Sequence, residues 1–70
     1  LTLPKSVRRR LAETRGVPAF VIFSDATLVE MAEKHPQSDA ELLLVSGVGP
    51  KKLASYGEAF LRVLREERRP

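Results

Sequence analysis

The stretch LLLVSGVGPKKLA, residues 42–54, decides the fold, because its glycine-rich centre separates two segments with helical patterning. A short apolar helix is predicted over 42–45, and a last helix is predicted to begin at Pro50, a residue type that suits a first helical turn. Between them, Gly47 and Gly49 permit positive φ and a close backbone approach. The stretch therefore predicts a helix-hairpin-helix element.

This hairpin also predicts an anion site. The first amides of a helix have no acceptor within the helix and point outward. Lys51 and Lys52 follow in the first turn, where their charges oppose the helix dipole unless a phosphate is near. We name both lysines, with Gly47 and Gly49, as candidate phosphate contacts. The alternative is structural: the glycines serve only the turn, and Val48 fills the core.

Helices are predicted on both sides of the hairpin from apolar residues at helical spacing. Gly16 and Pro18 should end the first helix, and Gly57 in the last helix should mark a close helix contact. The three apolar stripes are Leu3, Val7 and Leu11; Leu28, Met31, Ala32 and His35; and Leu53, Tyr56, Phe60, Val63 and Leu64.

Capping residues give the expected helix boundaries. Ser24 and Asp25 should open one helix, and Pro36 should end it. Ser38 and Glu41 have the spacing of a capping box, with the short apolar helix following at 42–45.

The run AFVIF, residues 19–23, resembles a strand by itself, but no other segment predicts a partner strand. We therefore predict a buried turn or a short helix. Phe20 lies at the edge of the run and has two interpretations. It is a core residue, or it is an exposed ring beside arginines that stacks on bases. We expect partial burial of Phe20 and deeper burial of Phe23.

Charge divides along the chain. The 70 residues carry a formal net charge of +3, with basic ends and an acidic middle. If the first and last helices pack together, they form a positive face that would attract a polyanion. Arg8, Arg9 and Arg15 are predicted opposite the apolar stripe of the first helix, as nucleic-acid contacts or as a solvated face.

Nothing in the composition predicts catalysis. The only histidine, His35, precedes a helix-ending proline, and the phosphate-binding loop of nucleotide hydrolases is absent. Without cysteine, disulfides and cysteine metal sites are excluded, and we expect no cofactor and no metal. No apolar run approaches the ~20 residues that span a bilayer. The chain starts at Leu1, so we expect one domain over residues 1–70, cut from a longer protein.

The segments GVPAFVIFSDATLVEMAEKHP, residues 16–36, and ELLLVSGVGPKKLASYGEAFLRVL, residues 41–64, together resemble the HRDC domain, named for helicase and RNase D C-terminal. The strings FSDATL and GVGPKKL-x-x-YG are specific, and the bacterial RecQ version is the most similar. The resemblance implies an all-α, compact bundle of about five short helices. It also implies a non-catalytic accessory role, in which weak binding of single-stranded or junction DNA guides a helicase core in recombination and repair.

The resemblance also bears on Phe20. In some bacterial relatives the aromatic residue after a proline pair, usually a tyrosine, contributes to DNA binding. Phe20 occupies that position here, and Ala19 replaces the second proline. The implied partners are DNA and the helicase core of the same chain, for a monomer in the bacterial cytoplasm near the nucleoid. Some members work through protein contacts, so a regulatory domain that docks through its acidic middle is the alternative.

Overall fold

A computed structural model describes residues 2–67 of the chain and the side chains of residues 4–66. The described range contains five helices and no strand, which confirms the predicted all-α bundle and the short helix in the AFVIF run. The side chain of Leu3, predicted in the first stripe, lies outside the described residues. The helices are α1 (Thr2–Arg15), α2 (Ala19–Ile22), α3 (Asp25–Lys34), α4 (Asp39–Leu43) and α5 (Pro50–Glu67).

One core joins all five helices. Helix α1 packs against α2, α3 and α5, and α4 packs against α5. At the centre, the Phe23 ring meets the Tyr56 and Phe60 rings edge-on, with centroids 6.0 and 5.1 Å apart. The buried apolar residues are Val7, Ala12, Ile22, Phe23, Leu28, Met31, Leu42, Val45, Val48, Phe60, Leu61 and Leu64.

Helix α3 begins as predicted and ends one residue before the predicted position. The Ser24 hydroxyl accepts a hydrogen bond from the Thr27 amide at 3.2 Å, as an N-cap should. At the other end His35 is left-handed, with φ of 51°, and its amide donates to the Met31 carbonyl. The His35 ring lies 2.9 Å from the Leu64 carbonyl, which ties the end of α3 to α5.

Helix α4 begins at Asp39, three residues before the predicted start at 42. The prediction was wrong because it began the helix with the apolar run rather than directly after its cap. The Ser38 hydroxyl accepts from the Glu41 amide at 3.2 Å, as in a capping box. The Glu41 carboxylate, however, accepts from the Gln37 amide at 2.7 Å.

In the hairpin, only one of the two glycines needs its special backbone freedom. Gly47 has φ of 89°, and a Cβ atom there would collide with the Thr27 hydroxyl. That hydroxyl donates to the Ser46 carbonyl at 2.9 Å, so the turn is pinned to the start of α3. Gly49 lacks positive φ, and a Cβ atom there would meet nothing within 4 Å. Val48 is buried, as the structural alternative predicted.

Gly57 lies where α4 meets α5, but the close contact that the sequence predicted between helices is not found at this position. It is buried in α5, and a Cβ atom there would lie 2.7 Å from Leu53 Cδ1 and 3.6 Å from Leu42 Cδ2. The close approach is therefore to a side chain of the same helix, and Leu42 of α4 would meet a Cβ atom only at ordinary contact distance.

Candidate nucleic-acid interface

The four-residue helix α2 turns one aromatic ring outward. Phe20 is 71% exposed, whereas Ile22 and Phe23 have no exposed surface. The expected partial burial of Phe20 was therefore wrong, and the ring is more open than predicted. A single turn can direct only some of its side chains inward, and Ile22 and Phe23 take those positions.

Two side chains of α5 surround the buried Phe23 ring. Lys52 Nζ lies 5.6 Å from the ring centroid, a cation–π arrangement, and the Tyr56 ring meets Phe23 at its edge. Lys52 and Tyr56 are four residues apart, so they lie on the same face of α5. Lys52 is half-buried and Lys51 is exposed.

Arg15 extends this group to the end of α1. Its guanidinium carbon lies 4.7 Å from the centroid of the Tyr56 ring. As the last residue of α1, Arg15 is a cation where the helix dipole favours one. The side chains that the structure brings together are thus Arg15, Tyr56, Phe23 and Lys52. Sequence reasoning missed Tyr56, because its place in the last stripe indicated only a core residue.

Arg8 is not on an open surface, contrary to the helical-wheel prediction. Its side chain is 13% exposed, and Nη1 lies 2.8 Å from an Asp25 carboxylate oxygen. The same nitrogen donates to the Phe23 carbonyl at 3.0 Å. A wheel of α1 alone cannot show that the junction between α2 and α3 covers this side. The hydrogen bond and charge of Arg8 lower the pKa of Asp25.

Arg9 is exposed and lies 3.6 Å from the Glu13 carboxylate, one turn along the same helix. The described contacts of Arg9 therefore stay within α1, and none joins it to the group around Phe23. Such exposed pairs contribute little to stability. Arg9 remains available to solvent as the sequence predicted.

The backbone of the hairpin leads into the start of α5, where the first helix amides have no acceptor within the helix. The Leu53 amide donates to the Gly49 carbonyl at 2.9 Å, which closes the first turn of the helix. Pro50 has no amide hydrogen, so the amides of Lys51 and Lys52 form the open end. Gly47 and Gly49 lie directly before this end, and the Lys51 side chain is exposed beside it.

The acidic middle is less separate from the basic ends than the sequence predicted. Asp25 pairs with Arg8 of α1, although the two come from regions of opposite charge. Glu30 lies 2.9 Å from Lys34 Nζ and accepts from the Ser46 amide at 3.0 Å. The hydrogen bond from Lys34, followed by that from Ser46, lowers the pKa of Glu30.

Two further properties concern the described residues alone. Within residues 2–67, no helix combines the length and apolarity needed to cross a membrane. The same residues include no cluster of three or more His, Cys, Asp or Glu side chains that could hold a metal ion.

Within the described residues, the fold is a five-helix domain with one exposed aromatic ring, Phe20, and with cations over the rings of Tyr56 and Phe23. The HRDC domain family model matches residues 5–64, and the chain belongs to this family. The chain is 49% identical over 61 residues to the ATP-dependent DNA helicase RecQ of Bacillus subtilis. It is 43% identical over 61 residues to the ATP-dependent DNA helicase UvrD2 of Mycobacterium tuberculosis.

A solved structure supports the same assignment. The third HRDC domain of D. radiodurans RecQ matches with a TM-score of 0.85 and 34% identity, covering 94% of this chain and 92% of that one. In the two curated relatives the match covers 87% of this chain. It spans only 10% of the RecQ sequence and 9% of UvrD2, so about a tenth of each.

Proposed function

We propose that this chain is a non-catalytic accessory domain of a RecQ-type DNA helicase. In this role it binds single-stranded or junction DNA weakly and guides the helicase in recombination and repair. The observation that carries the proposal is Phe20, 71% exposed while Phe23 and Phe60 are fully buried. Proteins that bind single strands without sequence preference combine aromatic rings, on which bases stack, with positively charged side chains that follow the backbone.

The proposed contacts divide by chemistry. Phe20 stacks on a base, while cations and the open amides of α5 contact phosphates. Arg8 enters the proposal as a positioning residue, because its contacts with Asp25 and the Phe23 carbonyl hold the backbone next to α2. The phosphate contacts are Arg9, Arg15, Lys51 and Lys52, with the backbone of Gly47 and Gly49.

The proposal includes the context of the domain. The curated relatives named above are ATP-dependent DNA helicases about ten times as long as the matched region. We therefore place the domain in a longer bacterial helicase, as a monomeric unit acting with the helicase core of the same chain. Its proposed location is the cytoplasm, near the nucleoid.

A salt titration of DNA binding tests the proposal. Fluorescence polarisation with a labelled oligothymidine should show weak binding that falls steeply between low and moderate salt. Three or four contacts on a single strand give a log–log slope of roughly −2 to −3. Affinity independent of salt, or no binding at low salt, would contradict the proposal.

One observation favours a second candidate, a regulatory protein-interaction domain. Leu43 and Leu44 at the end of α4 are 41% and 76% exposed, near the acidic Asp39 and Glu41. Exposed apolar side chains beside carboxylates suit a basic, amphipathic partner surface, such as one on the helicase core. Leu44→Ser separates the candidates because it removes the apolar side chain without changing the charge: it should leave DNA affinity unchanged and weaken binding to the separately prepared remainder of the parent helicase.

A further inference from the structure

We propose that Arg15 and Tyr56 form a second nucleotide subsite, which takes the nucleotide next to the one stacked on Phe20. The inference rests on the proposed single-strand binding and adds a position on the path of the strand. The ligand class is a single-stranded polynucleotide, held by a base on the guanidinium plane and by an adjacent phosphate.

The pair supplies a planar cation over an aromatic ring, at the exposed end of α1. The guanidinium carbon of Arg15 lies 4.7 Å from the Tyr56 centroid, a cation–π contact over the ring. Arg15 is exposed and Tyr56 is half-buried, so the guanidinium can be reached from solvent. A guanidinium stacks on planar groups and presents a fork of donors to phosphate, which a lysine ammonium cannot reproduce.

The pair is continuous with the Phe20 platform through the core. Tyr56 meets Phe23 edge-on, and Phe23 directly follows the turn of α2 that carries Phe20. On the same face of α5, Lys52 lies over Phe23 and brings a second positive charge beside Tyr56. A guanidinium and an ammonium thus lie over the neighbouring rings of Tyr56 and Phe23, and Phe23 directly follows the helix that carries Phe20. A strand leaving Phe20 towards α5 meets cations suited to its phosphates.

The fluorescence of Tyr56 measures directly whether a nucleotide binds at the proposed subsite. It is the only tyrosine and the chain has no tryptophan, so intrinsic fluorescence reports on this position alone. Titration with oligothymidine should change the tyrosine emission in proportion to the bound fraction measured by polarisation. The change should persist at saturation in Phe20→Ala, because the subsite is separate from Phe20. Emission that stays constant while polarisation reaches saturation would overturn the subsite.

Two substitutions of the exposed Arg15 separate stacking from charge. Arg15→Lys keeps the charge and loses the planar group, so affinity should fall by about fivefold or more, with the salt slope unchanged. Arg15→Gln should reduce affinity further and lower the magnitude of the slope by about 0.7. Normal binding by Arg15→Lys, with a lower slope for Arg15→Gln, would reduce Arg15 to a simple phosphate contact and overturn the inference.

The outcomes also distinguish this inference from the proposed function. If the unmodified chain does not bind oligothymidine, the proposed function fails and the subsite fails with it. If the chain binds, Phe20→Ala weakens binding and Arg15→Lys does not, the function stands and the subsite is wrong. Circular dichroism melting should give nearly the same midpoint for Arg15→Lys as for the unmodified chain and a slightly lower one for Arg15→Gln, which loses the charge that the dipole favours at the end of α1.

Discussion

Phe20 and Phe23 are three residues apart and have opposite environments. The first is 71% exposed and the second has no exposed surface. The sequence predicted deep burial for Phe23, which follows from the apolar run and the Ser24 cap. It could not predict the exposure of Phe20, because a run of apolar residues does not show which one a single turn leaves outside.

Phe20→Ala should affect DNA binding and leave folding almost unchanged. Loss of a stacking platform costs about 1–3 kcal/mol of single-strand binding. Phe23→Ala is the control, since truncation of a buried phenylalanine costs about 3–5 kcal/mol of folding free energy. Thermal melting beside a polarisation titration measures both. If Phe20→Ala melts far lower yet binds normally while folded, Phe20 is not in the binding site.

Gly47→Ala should destabilise the domain, and Gly49→Ala should not. At position 47 the φ of 89° and the Thr27 hydroxyl both oppose a methyl group. An incompatible Gly-to-Ala change costs more than the ~0.4–1 kcal/mol that a compatible one gains. At position 49 there is open space, so stability should hold. Equal melting midpoints for the two variants would show that the turn has another conformation.

The ion pair of Arg8 with Asp25 should give a pH-dependent contribution to stability. Arg8 lowers the pKa of Asp25, so the contribution is present above the unfolded pKa, about 3.9. It is lost as the pH falls through the lower folded pKa. Asp25→Asn should therefore lower the melting midpoint at pH 7 but make little difference at strongly acid pH. Glu33→Gln, at an exposed position of the same helix, is the control for the removal of one carboxylate from α3; an equal drop in its midpoint at pH 7 would contradict the role of Arg8.

At the scale of elements, the sequence predicted where helices begin better than it predicted which side chains neighbouring helices cover. The start of α5 at Pro50 and the Ser24 cap of α3 follow from local residue preferences. The start of α4 was missed by three residues because the apolar run outweighed the cap. The burial of Arg8 could not be predicted from α1 alone, because it depends on where the α2–α3 junction lies.

The start of α5 gives a prediction at this scale. Lys51→Glu should weaken DNA binding while stability holds or rises, because an acid near a helix start gains about 0.3–1 kcal/mol from the dipole. Lys52→Glu tests the phosphate contact less directly, because it also removes the cation–π contact of Lys52 with the Phe23 ring. Arg62→Glu is the matched control, with the same charge change at an exposed position further along α5. If Lys51→Glu and Arg62→Glu weaken binding equally, net charge alone is responsible.

At the scale of the whole molecule, α5 is the longest of the described helices. Its 18 residues span about 27 Å of a molecule whose longest dimension is 34 Å. The all-helical class followed from the sequence, whereas the packing of the two basic end helices was only a condition there and is shown by the structure. The charges do not separate fully into a positive and a negative face. Asp25 of the acidic middle pairs with Arg8 of α1, and Glu30 pairs with Lys34 of its own helix.

The attachment of α2 has a kinetic consequence. Ile22 and Phe23 are buried, and Arg8 holds the Phe23 carbonyl, so the backbone beneath the Phe20 ring is already ordered before any ligand arrives. A preorganised platform loses little conformational entropy on association. No folding step therefore delays capture, and diffusion and electrostatic attraction set the rate of encounter. Under the proposed function, weak affinity would then arise from rapid release, which would let the domain sample many positions along a strand.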